Sequence, residues 1–278
     1  MSGSLTSIIP QLESLYTCYN KKEYISPDPL QFLYDYTLLR DREIVGMVAS
    51  SLAYGGIKQI LASVGKALEP MGNSPYDFLI SHSLPDLKRI YRDFKHRFAA
   101  GEDFALMLWG VKRMIEEYGS LEAGFLAGYD ETFDTILSSL INYIDKIHEF
   151  TDNDQEEVCY GYGFKHLLPH PEKGGASKRL HLFLRWMVRK DAVDLGDWKH
   201  VSPTKLIVPV DLHMHRIALA LELTSRKQAN LKTALEITAA FREIVPDDPV
   251  KYDFVLTRLG IRDDTDMEIF LKSCLTPT

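Results

Sequence analysis

Cysteine is scarce in this chain: Cys18, Cys159 and Cys274 are the only three in 278 residues, and no two share a paired spacing. That excludes a disulfide framework and a four-cysteine zinc or iron–sulfur site, and predicts thiols that are buried or inert. No stretch approaches the roughly 18 consecutive apolar residues that cross a bilayer. Met1 to Leu15 also lacks a basic segment leading into an apolar one. The expectation is a cytoplasmic protein with no membrane contact. Positive charge is in deficit as well, and a net charge of −7 argues against a nonspecific nucleic-acid coat, because counterion release needs cations facing phosphates. Internal repeats and low-complexity tracts are absent. So is strand patterning, since the β-branched pair Ile207-Val208 is broken by Pro209.

What remains is helical. Hydrophobic residues make up 45% and charged residues 26%, enough for a sizeable core in a globular chain. Phe133, Ile136, Leu137, Leu140, Ile141, Ile144 and Ile147 recur at three- and four-residue spacing, as do Phe104, Met107, Leu108, Val111, Ile115 and Tyr118. Further helices are predicted over 5–18, 29–38, 41–52, 56–69, 84–99, 121–127, 156–167, 176–190, 212–222, 229–244, 249–258 and 265–273. The fold class is therefore all-α, with two helical lobes flanking a cleft. Residues 40–190 would form one lobe, and 1–39 with 191–278 the other, with Asp191–Lys205 as a loop insertion.

Gly161 to Lys190 reverses the overall charge. Lys165, Lys173, Lys178, Arg179, Arg185, Arg189 and Lys190 stand there against the single acid Glu172. Within this island Gly174 and Gly175 free the backbone for positive φ and close approach to a ligand, and a helix opens near Ala176. Helix-start N–H groups with basic flanks suit a phosphate backbone. Lys178 would sit in the first turn, where the helix dipole and Arg179 favour the neutral, nucleophilic amine. The same position also suits a plain phosphate-contacting lysine.

Asp211 precedes the apolar stripe Met214, Ile217, Ala218 and Leu221, so it reads as a helix N-cap. A carboxylate fixed in that way can stabilise a developing oxocarbenium ion or a protonated amine, although the cap alone would also account for it. Asp211, His213 and His215 spell D-x-H-x-H, but residues two apart on a helix diverge, so no metal is expected. His213 is read as a hydrogen-bonding strut or a phosphate contact.

The string Val208-Pro209-Val210-Asp211-Leu212-His213-Met214-His215-Arg216-Ile217-Ala218 resembles the catalytic-aspartate segment of the helix-hairpin-helix DNA glycosylases, most closely the 8-oxoguanine glycosylase branch. Gly174-Gly175-Ala176-Ser177-Lys178 is similar to that family's hairpin, in which G-V-G-x-K carries a nucleophilic lysine. Here Ala176 replaces the second glycine, His170 to Lys173 are extra, and the lysine-to-aspartate connection is longer than usual. Glu43 to Ile60 resembles an early helix pair whose loop wedges into duplex DNA, with Tyr54 where that family carries glutamine or asparagine. Tyr252 to Gly260 resembles the helix lining the base pocket. The whole chain is also similar to an uncharacterised bacterial family related to these enzymes.

This resemblance implies a base-excision repair glycosylase with abasic-site lyase activity, acting on damaged double-stranded DNA without a cofactor. Lys178 would be the nucleophile and Asp211 its electrostatic and acid–base partner. Gly174, Gly175, Ala176, Ser177, Arg179 and His213 would contact DNA. Tyr54, Asp253, Phe254 and Thr257, with Tyr160 or Tyr162, are candidates for the base pocket. The alternatives are a non-catalytic helix-hairpin-helix binding protein and a metal-dependent hydrolase built on D-x-H-x-H.

Overall fold

Apolar residues spaced three and four apart become helices throughout the computed structural model, which describes residues 8–153, 161–259 and 267–275. The chain forms two units, Met1–Tyr24 with Gly174–Thr278, and Ile25–Lys173. Helix α1 (Ile9–Tyr19) belongs to the first.

The second unit holds α2 (Leu39–Ser51), α3 (Ile57–Leu68), α4 (Pro75–Ser81), α5 (Leu84–Ile90), β1 (Lys95–His96), β2 (Ala99–Ala100), α6 (Gly101–Tyr118), α7 (Leu121–Leu126), α8 (Leu137–Asn153) and α9 (Tyr162–Leu167). Its centre is α6 packed on α8. The two helices meet at Gly110, where a Cβ would come within 2.7 Å of Ile147 Cγ2. Buried charges in this unit close helix ends. Glu43 accepts the Leu121 and Glu122 N–H groups at the start of α7, Asp41 accepts Tyr76 N–H in α4, and Lys112 donates to the carbonyls of Ile80 and His82 at the end of α4. Each meets a backbone group that a helix terminus leaves without an intrahelical partner.

The first unit continues with α10 (Lys178–Val188), α11 (Leu212–Ala220), α12 (Leu231–Ile244), α13 (Asp253–Arg258) and α14 (Met267–Leu275). Helix α13 packs against α1 and α11. Through the interior runs an ion-pair network that periodicity does not reveal. Arg185 meets Asp194 at 3.2 Å and Asp253, while Arg189 meets Asp194 at 3.0 Å, Asp248 at 2.8 Å, Asp191, and the Tyr16 hydroxyl at 3.1 Å.

Several sequence expectations are corrected here. The helix predicted over 84–99 stops at Ile90, and β1 and β2 form an antiparallel hairpin where no sheet was expected. Residues 29–35 form a 3-10 helix, Phe133 and Ile136 precede α8, and α4 was not foreseen. The segment after Lys190 is a loop, as expected, and it packs back on α10. Gly196 and Trp198 donate backbone N–H groups to Trp186 and Met187, and Val193 and Trp198 are buried. Helix α10 lies in the same unit as the aspartate helix, and the two units divide at 173/174. Residues 25–39 lie in the second unit because the 3-10 helix packs on α2. Cys18 is exposed rather than buried, while Cys274 is buried. The first residues of the 5–18 helix, residues 156–160 of the 156–167 helix with Cys159 and Tyr160 among them, and the start of 265–273 lie outside the described residues.

His181 in α10 is 1% exposed, and neither ring nitrogen has a hydrogen-bond partner. Burial pushes its pKa down from 6.5 to about 4. Between those values the unfolded chain binds a proton that the folded chain refuses, so stability falls as pH drops through the window. Urea titrations at pH 7 and pH 4.5 should show a loss of a few kcal/mol attributable to this residue, about 1.4 kcal/mol per pH unit, and His181→Phe should flatten that part of the profile. An unchanged profile in the variant would refute the assignment.

Candidate active site

Helix α11 begins where Asp211, in extended conformation, accepts the N–H groups of His213 and Met214 at 2.9 and 2.8 Å through Oδ1. Its other oxygen, Oδ2, accepts a hydrogen bond from Lys178 Nζ at 2.7 Å. The capping bonds thus fix the carboxylate with one oxygen turned to the lysine. Burial works to raise the Asp211 pKa, but the Lys178 charge and hydrogen bond, with the Met214 N–H, outweigh it and hold the carboxyl below its ordinary value. Both side chains keep about a third of their surface exposed, 30% for Lys178 and 33% for Asp211. The pair is therefore accessible as well as organised. Lys178 Nζ and the Asp211 carboxylate thus stand within hydrogen-bond reach of each other.

Lys178 owes its place to the glycine loop. Gly174 adopts φ +79°, its carbonyl accepts the Leu231 N–H, and Gly175 bridges to Asn230, which in turn caps α12. The second left-handed residue is Ser177, at φ 46°, and not Gly175. No side chain caps the start of α10. Gly174 and Gly175 are exposed, Ala176 is half-buried, and a Cβ on either glycine would meet nothing within 4 Å.

The remaining candidates separate. Arg179 is 9% exposed and Ser177 8%, so both are largely buried. Arg185 and Arg189 of the basic island are buried in the ion-pair network. His213 is half-buried, and its Nε2 is buried without a hydrogen-bond partner among the described residues. His215 Nε2 meets the Arg226 carbonyl at 2.7 Å, so Asp211 and His215 of the D-x-H-x-H string engage different partners.

The pocket-helix residues are mostly interior. Asp253 is buried against Arg185, and burial pushes its carboxyl up despite that arginine. Asp253 also feels the charges of Lys178 and Asp211, which joins the network to the pair electrostatically. Phe254 is buried beneath the Arg258 guanidinium, 4.5 Å from its ring centroid. Thr257 donates to the Phe254 carbonyl. These contacts make Asp253 and Phe254 core residues rather than an open pocket wall. Tyr54 and Tyr162 lie in the second unit. Tyr54 is half-buried, its hydroxyl donating to the His96 carbonyl at 2.9 Å.

Sequence reasoning missed the Arg185–Asp253 support beside the pair. Its only sequence signal is arginines at 185 and 189 on an otherwise apolar helical face, where a buried guanidinium needs carboxylates.

A helical unit carrying an accessible, capped lysine–aspartate pair is the class of structure these residues define. The chain belongs to the family described as "Protein of unknown function (DUF2400)", which matches it over residues 28–262 and so takes in both members of the pair. No curated protein and no solved structure gives a significant match.

Proposed function

We propose that this protein is a DNA base-excision glycosylase with abasic-site lyase activity, using Lys178 as nucleophile and Asp211 as electrostatic and acid–base partner. The observation that carries the reading is the 2.7 Å contact between two partly exposed side chains 33 residues apart. It is supported by the resemblance of both segments to the helix-hairpin-helix glycosylases, with their two lobes and cleft. Damaged double-stranded DNA is the substrate class, and the nucleotide must leave the stack to reach the lysine. No helix among the described residues is long and apolar enough to cross a membrane, which fits a cytoplasmic DNA enzyme.

The reaction starts with loss of one proton from the Lys178 ammonium, which the Asp211 carboxylate is within reach to accept. The freed electron pair attacks the anomeric carbon, and the bond to the base breaks with its electrons leaving on the base, which takes up a proton. The attached amine then gives up its second proton, the ring oxygen takes a proton as its bond to the anomeric carbon breaks, and the nitrogen electron pair forms the iminium ion on Lys178. Loss of a proton from the adjacent carbon expels the 3′ phosphate by elimination, and water hydrolyses the imine to restore the lysine. Once Asp211 has passed the lysine proton on to the departing base it is ionised again, and it then stabilises positive charge on the sugar and nitrogen.

Asp211→Asn keeps an oxygen for the helix cap and removes the charge. We expect base excision to fall by about 10²–10³-fold, the scale of removing one preorganised electrostatic group, with stability changed by less than about 1 kcal/mol. Single-turnover excision and urea unfolding of the same preparation separate the two effects. The reading as a whole is tested by borohydride reduction during incubation with abasic and 8-oxoguanine duplexes. A covalent protein–DNA adduct is expected, and salt-sensitive binding without any adduct would instead indicate a non-catalytic DNA-binding protein.

A further inference from the structure

The second unit presents aromatic rings to solvent where the proposed chemistry does not use them. Phe98, in the turn between β1 and β2, is 52% exposed, and Tyr162 at the start of α9 is 69% exposed. Their rings meet edge to face at 5.6 Å. His166 stacks on Tyr162 and packs edge-on to Phe98 and Tyr54, and Tyr54 packs on the buried His96, whose ring is held by Ser63 Oγ at 2.8 Å. The result is a supported platform with two open aromatic faces.

The base of the platform is tied by Asp103, which accepts the N–H groups of Ala100 at 2.8 Å and Phe164 at 2.9 Å and so joins β2 to α9. The turn is held in a committed shape. Arg97 takes φ 51°, and its guanidinium lies 5.5 Å from the Phe98 ring centroid. The exposed charges near the rings that lack an ion-pair partner are positive. Lys58, Lys95, Arg97 and Lys165 are exposed and form no ion pair among the described residues. The nearby acids Asp93 and Glu102 pair with Arg92 and Lys88.

We infer that Phe98 and Tyr162, with Arg97 and Lys165, form a stacking surface for unpaired bases of a nucleic-acid strand. Exposed rings bordered by free cations match a strand that offers flat π faces and phosphates together. A protein partner would favour an apolar centre depleted of charge, which this surface is not. The inference deepens the DNA reading and rests on it only for the class of partner. It concerns a contact surface in the unit that carries neither Lys178 nor Asp211.

The test uses the full chain and a single-stranded oligonucleotide of roughly 12 nucleotides, within the usual range of site sizes, carrying one 2-aminopurine. Wild type should quench the probe, with affinity falling as salt rises. Phe98→Ala and Tyr162→Ala should each weaken binding by about ten-fold, the scale of losing one stacked base, whereas Phe98→Trp should retain both binding and quenching. Wild-type failure to bind the oligonucleotide, or alanine variants binding as tightly as wild type, would overturn the inference. If borohydride trapping fails while the aromatic variants still lose binding, the excision reading falls and the stacking surface stands. If trapping succeeds and the aromatic variants bind normally, the stacking surface alone falls.

Discussion

On the proposed reading, Lys178→Gln is expected to reduce strand cleavage at an abasic site by at least about 10³-fold, the scale on which covalent catalysis collapses when its nucleophile is removed. Glutamine has similar reach and can still hydrogen-bond Asp211 Oδ2, which lysine meets at 2.7 Å, but its amide has no basic electron pair with which to attack carbon. Because the pair is about one-third exposed, its loss should cost at most about 1 kcal/mol of stability. Single-turnover cleavage of a labelled abasic duplex reads the rate, and urea unfolding reads the fold. A variant that cleaves at the wild-type rate would remove Lys178 from the reaction. Affinity for uncleaved duplex should change little, since one lysine contributes one phosphate's share of salt-dependent binding.

Arg185→Ala produces the largest expected loss of stability, about 3–5 kcal/mol, because it leaves buried carboxylates short of a partner. The Arg185 side chain is 3% exposed and lies against Asp194 and Asp253, whose side chains are 0% and 1% exposed. Removing one partner of such a group costs far more than replacing the whole set with apolar side chains. Thermal unfolding should show a drop on the order of 10 °C, and a shift of only a degree or two would contradict the network's structural role. Restoring charge balance by a second change, Asp253→Asn, should recover part of the loss. Excision should also weaken in Arg185→Ala, since Asp253 acts electrostatically on both Lys178 and Asp211.

The helical class was legible because periodicity reports local geometry. The stripe ending at Tyr118 became α6, and that of Leu137 to Ile147 became part of α8. Asp211 was legible as a cap for the same reason: a short acceptor before an apolar stripe has one local role, and it bonds the N–H groups two and three residues on. Its contact with Lys178 was not legible from spacing, because it depends on how residues 191–205 fold. Those residues lack a helical period and so read as a loop, yet they pack back on α10 through Trp198 and the Arg185–Asp194 pair.

Long-range ion pairs leave no periodic mark, which is why Tyr16, Asp194, Asp248 and Asp253 gave no sign of converging on two arginines. The basic island looked like one phosphate-binding face, but charge counted along the chain does not distinguish the buried Arg185 and Arg189 from the exposed Lys165. Likewise α4 carried a readable start in Ser74-Pro75-Tyr76-Asp77, a capping serine with a proline at the first turn, but its seven residues are too few for periodicity to register. Arg97 in left-handed conformation gave no composition signal, and the exposed platform beside it emerged only from the fold.

The central claim is that Lys178 forms the covalent bond. Its most direct test is to reduce wild-type protein with borohydride on an abasic duplex, digest the adduct and locate the modified residue by mass spectrometry. The account predicts a deoxyribose remnant attached to Lys178 Nζ. An adduct on another amine, or no adduct under conditions where the protein binds the duplex, would contradict it.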